Sequence, residues 1–290
     1  MEKNQNKSET PEYAERSVYP LQKRLARQLM RLLGRWRRKS YDIRIISVDG
    51  EPRYKKVVFR DAARAAKAKS DLQGFGPSPH FPGLYKVQDN EVIVDYVFGN
   101  VLEHIDNVTI DKLSDFYAAV YKRNPRLELL ADTPFVPHFE ANLRKLREFG
   151  VLDSQYSDAL QKSIQDLAPD HVWVGFDYTD PIKNNLVLTG EPTRVCAIDI
   201  KNLRSDSMIG RGVAKARRRW LHEAAMPGFM AQLKAKDAPD FSVYFDFIRL
   251  YDDIQRVTDK LFSEAQLSHS KKLRMLQKRK LSPEYFETQT

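Results

Sequence analysis

Tyr178-Thr179-Asp180-Pro181-Ile182-Lys183-Asn184-Asn185-Leu186-Val187-Leu188-Thr189-Gly190-Glu191-Pro192-Thr193-Arg194-Val195-Cys196-Ala197-Ile198-Asp199-Ile200 is the stretch on which the reading of this chain turns. Leu186 to Thr189 read as a short apolar strand, Gly190-Glu191-Pro192 as a turn, and Arg194 to Ile198 as a returning strand. Strands joined by a short turn run back alongside each other, so the open ends of the pair meet. Asn185 enters this hairpin and Asp199 leaves it; fourteen residues apart in sequence, they are expected to be neighbours in space. An amide oxygen and a carboxylate are hard ligands of the kind magnesium takes, one or two from protein and the rest from phosphate and water. Asp180 lies five residues before Asn185 in a loop held by Pro181, placed to face an acceptor hydroxyl and accept its proton. The plainer alternative is a capped hairpin between helices, with the two aspartates only terminating elements.

Working outward, the chain changes period several times. Ile43 and Ile45 alternate with Asp42 and Arg44 up to a turn at Asp49-Gly50, and Tyr54 to Arg60 form a second strand, so this reads as a hairpin. Residues 61–73 are alanine-rich and helical, residues 74–82 a Gly/Pro-rich loop, and Leu84–Val87 and Val92–Val97 a further strand pair. Beyond Gly99 the pattern is mostly helical. Stripes run through Ile110, Leu113, Phe116, Tyr117 and Val120 behind Thr109 as N-cap; through Phe139, Leu143 and Leu146 up to Gly150; and through Tyr156, Leu160 and Ile164 up to Pro169. Residues 208–235 and 240–266 read as two further long helices, with Arg217-Arg218-Arg219 as a solvated face of the first.

Here the residues resemble a family. Tyr178 to Leu188 followed by Ala197-Ile198-Asp199-Ile200 is similar to the catalytic loop and metal-binding strand of the protein kinase-like superfamily, nearest its bacterial lipopolysaccharide (Kdo and heptose) kinase branch. Ile93-Val94-Asp95-Tyr96-Val97-Phe98-Gly99 is similar to the inter-lobe linker bordering the adenine pocket, and His80-Phe81-Pro82-Gly83-Leu84 to the segment before it. The resemblance implies an α+β, bilobal protein kinase-like fold, a small antiparallel β lobe with a larger, mainly helical lobe. It implies ATP and Mg2+ as cofactors, Asp180 as catalytic base, Asn185 and Asp199 as metal ligands, and Asp95, Tyr96 and Val97 at the nucleotide. The strand that should carry the phosphate-binding lysine offers Lys56 and Arg60 on one face, with Lys56 preferred. Two features depart from the pattern. No glycine-rich loop precedes Tyr54, and the helix at 61–73 holds Asp61 and Asp71 but no glutamate. A binding module that has lost turnover is therefore the alternative to an active kinase.

Charge is concentrated at the ends. Of the net +9, residues 20–39 contribute eight basic groups and no acidic ones, and residues 265–290 six basic against two acidic, leaving the body near neutral. Leu21, Leu25, Leu29, Leu32, Leu33 and Trp36 recur at helical spacing among these arginines, which suits either an anionic membrane surface or a helix docked on the body. Interleaved aromatics of a nucleic-acid stacking platform are missing, so nucleic acid is not an expected partner. A single cysteine, no apolar run approaching a membrane span and no apolar leader point to the cytoplasm, peripherally on the inner membrane face. The expected organisation is a basic amphipathic segment at 1–40, a β-rich lobe at 41–99, a helical catalytic lobe at 100–266 and a basic tail at 267–290. The expected acceptor is a hydroxyl on a glycolipid or sugar, such as a lipopolysaccharide core.

Overall fold

The computed structural model describes residues 12–18, 41–102, 105–221 and 225–263. The basic segment at 20–39 and the tail at 267–290 lie outside the described residues. In chain order the elements are β1 (Tyr13–Ser17), β2 (Tyr41–Val48), β3 (Glu51–Phe59), α1 (Ala62–Phe75), β4 (Leu84–Gln88), β5 (Glu91–Asp95), β6 (Asn100–Val101), α2 (Asn107–Tyr121) and β7 (Arg126–Leu129). Then follow α3 (Phe135–Glu148), α4 (Ser154–Leu167), β8 (His171–Tyr178), β9 (Leu186–Thr189), β10 (Arg194–Ala197), β11 (Leu203–Met208), α5 (Arg211–Arg217), α6 (Met226–Ala235) and α7 (Phe245–Ser263). They fall into two units: the described residues of Met1–Glu103 with Lys183–Leu203, and those of His104–Ile182 with Arg204–Thr290.

The first unit carries a five-stranded antiparallel sheet in the order β1-β2-β3-β5-β4 and a three-stranded sheet in the order β10-β9-β6. Asp49 (φ 51°) and Gly50 (φ 84°) both take the left-handed conformation that a tight hairpin turn requires, joining β2 to β3 as expected. Helix α1 starts at Asp61, whose carboxylate accepts from the Arg64 N–H at 3.0 Å, a cap worth about 1 kcal/mol. It packs on β3, β4 and β5, with Ala65, Ala68, Leu72 and Phe75 buried on the helix and Val57, Phe59, Val92 and Val94 buried on the sheet. Alanines on that face let the helix axis come close.

Two boundaries differ from expectation. Residues 13–17, placed by sequence within a separate terminal segment, form the edge strand β1, paired from Tyr13↔Val48 to Ser17↔Arg44. Residues 183–203, placed within the helical lobe, belong to the first unit, because β9 pairs with β6 through Asn100↔Leu188 and Val101↔Val187. At Gly99 (φ 153°) an added Cβ would stand 2.2 Å from the Leu188 carbonyl oxygen, so only glycine permits this approach.

The second unit packs α2 to α7 around a three-stranded sheet in the order β11-β8-β7. Phe116, Tyr117, Tyr121, Phe139, Leu146, Phe229, Phe247 and Ile254 are fully buried and form its core, as the helical stripes implied. The N-cap of α2 is Asp106 rather than Thr109: its carboxylate accepts from the Thr109 N–H at 2.8 Å, drawing the helix start upstream. The single long helix read over 208–235 is two helices with a strand before them. Gly210 (φ 104°) stops β11, and Pro227 in its first turn starts α6. Among the described residues no helix is long and apolar enough to cross a membrane.

Candidate active site

In the first unit the hairpin behaves as the sequence requires. Register Ala197↔Leu186 closes the β9–β10 ladder, and one step further the Ile198 N–H donates to the Asn185 carbonyl oxygen at 2.9 Å. Asn185 and Asp199 therefore flank one backbone hydrogen bond. The free edge of β10 is held by His80. His80 Nδ1 lies 2.8 Å from the Val195 carbonyl oxygen, and the Ala197 N–H donates to the His80 carbonyl at 2.9 Å.

Asp199 is 7% exposed. Its Oδ2 accepts from Lys201 Nζ and, at 3.0 Å, from Asn202 Nδ2. Both donors fall on the same oxygen. A second ammonium reaches this corner: Lys55 of β3 donates its Nζ to the Ile198 carbonyl at 2.7 Å. Burial lowers the Lys55 pKa, and the Asp199 carboxylate opposes that shift. Two lysines around one carboxylate leave a positive balance, which is what a polyphosphate needs.

Lys56, the residue expected to contact phosphates, does not share that surface. Adjacent strand residues point to opposite faces, and Lys56 Nζ pairs with Glu15 at 2.9 Å and Glu91 at 3.5 Å. Arg60, on the same parity, is exposed. Helix α1 offers Lys55 no glutamate; its buried carboxylate, Asp71, pairs with Lys67 at 2.8 Å. The tether for Lys55 is instead the carbonyl beside Asp199.

The linker segment is held by two backbone bonds, Asp95 N–H to the Gly83 carbonyl and Tyr96 N–H to the Arg53 carbonyl, both at 2.9 Å. An added Cβ at Gly83 would come within 2.4 Å of Asp95 Oδ2, so the small residue lets Asp95 fold over it. Tyr96 and Val97 are partly exposed, and the Tyr96 ring meets Phe98 edge-on at 4.9 Å.

In the second unit Asp180 follows β8. Its carbonyl accepts from the Ile182 N–H at 2.8 Å, and its Oδ1 lies 2.8 Å from Arg219 Nη1. Pro181 is anchored by Trp220, whose indole Nε1 donates to its carbonyl. The arginine run thus differs from a uniformly solvated face: Arg219 meets Asp180, while Arg218 pairs with Asp252 and, at 2.9 Å, with Asp253. Three residues upstream of Asp180, Asp177 is wholly buried; its Oδ2 accepts from the Gly212 N–H at 2.8 Å and its Oδ1 from the Tyr121 hydroxyl at 3.3 Å. Burial pushes the Asp177 pKa up to about 6. An added Cβ at Gly212 would lie 2.3 Å from the Tyr178 carbonyl oxygen, so α5 is pressed directly onto the strand that delivers Asp180.

Among the described residues no three His, Cys, Asp or Glu side chains converge as a metal cage. Asn185 and Asp199 fit a divalent cation that takes most of its ligands from phosphate and water, since both bring hard oxygens and one side of the Asp199 carboxylate accepts neither Lys201 nor Asn202.

No family model and no curated protein matches the chain by sequence. Solved structures do match it in shape. A Plasmodium vivax ethanolamine kinase superposes with a TM-score of 0.62 at 9% identity, covering 95% of this chain and 84% of its own. A type I macrolide 2'-phosphotransferase gives 0.60 at 13% identity, over 91% of this chain and 98% of its own. The ADP-bound aminoglycoside phosphotransferase APH(2'')-Ib gives 0.57 at 12%, covering 91% of each. The fold is that of the kinase-like phosphotransferases. At these identities the likeness concerns architecture, which is the α+β kinase-like fold expected from the hairpin and its surroundings.

Proposed function

We propose that this protein is an ATP-dependent phosphotransferase that phosphorylates a hydroxyl of a small molecule or sugar. The observation that carries the reading is the corner at Ile198: its N–H holds Asn185, its carbonyl holds Lys55, and the next residue is Asp199. A lysine, an amide and a carboxylate gathered at one strand exit suit a nucleoside triphosphate. Lys55 takes the phosphate contact, Asn185 and Asp199 hold Mg2+, and the backbone at Asp95, Tyr96 and Val97 borders the adenine. Bound there, Mg2+ would neutralise charge on the phosphate oxygens. Asp180 orients the acceptor hydroxyl and takes its proton as the new O–P bond forms and the bond to ADP breaks.

The finer reading keeps a sugar of a lipid-linked glycan as acceptor, with the basic residues 20–39 holding the protein at the anionic inner membrane face. It is supported by the composition of that segment. A second reading, nucleotide binding without turnover, is favoured by the lack of a glutamate in α1. Thermal melting with ATP and Mg2+, then labelled ATP offered with lipopolysaccharide, free sugars and amino alcohols, tests both. Stabilisation with transfer supports the enzyme. Stabilisation without transfer or ATP hydrolysis supports the binding module, and no stabilisation at millimolar ATP rejects both.

A further inference from the structure

Helix α5 and the residues after it read Arg211-Gly212-Val213-Ala214-Lys215-Ala216-Arg217-Arg218-Arg219, five basic groups and no acidic one. Asp252, 1% exposed, is shared by Arg211 at 3.4 Å, Lys215 at 3.7 Å and Arg218. One buried carboxylate thus faces three cations, and Asp253 beside it pairs with Arg218 and Arg256. The cluster lies beside Asp180 and Asp177, whose fields Lys215 feels along with that of Asp252.

Arg219 stands at the front of this cluster. Its side chain is 41% exposed, with Nη1 2.8 Å from Asp180 Oδ1. A guanidinium carries five donors in a planar fork matched to carboxylate and phosphate oxygens. Exposed pairs of this kind contribute roughly 0–1 kcal/mol to stability, so holding the fold together does not account for it. A cation fixed on the residue that faces the acceptor hydroxyl would repel an ammonium there and attract an anion.

We propose that the acceptor is itself anionic, carrying a carboxylate or phosphate near the reacting hydroxyl, and that Arg219 reads that group. The inference rests on the phosphotransferase reading, because it takes Asp180 as the group facing the acceptor.

The test is a binding titration on the full chain with Mg2+ and a saturating non-hydrolysable ATP analogue, which closes the nucleotide site to other anions. Four hexoses are compared: glucose, glucosamine, glucuronate and glucose 6-phosphate. We expect at least one of the two anionic sugars to bind more tightly than glucose, and glucosamine more weakly. The pair of anions tells carboxylate from phosphate. Arg219→Gln should weaken the anionic sugar by about 10–100-fold, the usual weight of a charge-assisted contact, with Arg219→Lys falling between. Melting curves confirm that both variants fold. Glucose or glucosamine binding as well as the tighter of the two anions would overturn the proposal, as would a folded Arg219→Gln that binds that anion like the wild type. Failure of the ATP analogue to bind at all instead rejects the phosphotransferase reading; selective, Arg219-dependent anion binding would then still mark an anion site.

Discussion

Lys55 Nζ donates to the carbonyl oxygen of Ile198 at 2.7 Å, linking a strand of the five-stranded sheet to the residue that precedes Asp199. The bond spans 143 positions of sequence, and helix α1 offers Lys55 no glutamate. Its consequence is a coupling: whatever positions Asp199 also positions the ammonium group.

Substituting the two neighbouring lysines should therefore separate their roles. Lys55→Met is expected to weaken ATP binding about 10–100-fold, since a buried charged donor is lost. Lys56→Met breaks pairs to the partly exposed Glu15 and Glu91 and should change stability by roughly 0–1 kcal/mol. Titrating ATP against both variants decides the matter, and the reverse ranking would return the phosphate contact to Lys56.

Asp180 and Asp199 should fail differently. If Asp199 holds Mg2+ as proposed, Asp199→Ala should abolish the Mg2+-dependent part of the ATP-induced melting shift. Asp180→Asn should leave that shift in place while transfer falls by ~10²–10⁴-fold. If both variants bind ATP with Mg2+ like the wild type and differ only in melting temperature, the hairpin is scaffolding.

The strand pairing was legible in the sequence and the face was not. Tyr54-Lys55-Lys56-Val57-Val58-Phe59 puts an apolar residue on each parity, Val57 and Phe59 on one and Tyr54 and Val58 on the other, so alternation alone cannot say which lysine points inward. The hairpin around Gly190 was readable because a short turn admits one return path. Tyr13-Ala14-Glu15-Arg16-Ser17 gave no strand signal; its place comes from edge pairing and from Glu15, which binds Arg44 at 2.8 Å as well as Lys56. Arg219 was hidden for a similar reason: its partner lies 39 positions upstream, and a run of three arginines looks solvated whichever one is engaged.

Acidity should act through Asp177. Its folded pKa of about 6 stands above the usual carboxylate value, so between roughly pH 4 and 6 the folded state holds more protons than the unfolded one. Stability contributed by the protonated form is present below pH 4 and lost as pH rises through 6. The loss amounts to roughly 3 kcal/mol for a shift of about two pH units. Asp177→Asn should flatten that part of the stability profile, measured by denaturant unfolding at half-unit pH steps. An unchanged slope would assign the titration to another group.

The basic residues 20–39 should bind vesicles containing anionic lipid and release them as salt rises past the screening range. Because β1 precedes this segment and pairs with β2 after it, truncating the chain at residue 39 would also strip a strand from the sheet. Replacing 20–39 with a glycine-serine linker avoids that. Vesicle flotation of the replaced protein should be lost; retained flotation would place the contact elsewhere.

The pairing of β6 with β9 also sets an order of events during synthesis. Residues 100–101 leave the ribosome long before their partner at 187–188, and residues 104–182 between them belong to the other unit. The first unit is thus left waiting, its ladder open and Lys55 without its carbonyl, until the hairpin emerges. A nascent chain stalled before residue 183 holds an incomplete half, which makes the late-arriving hairpin the step that completes the first unit.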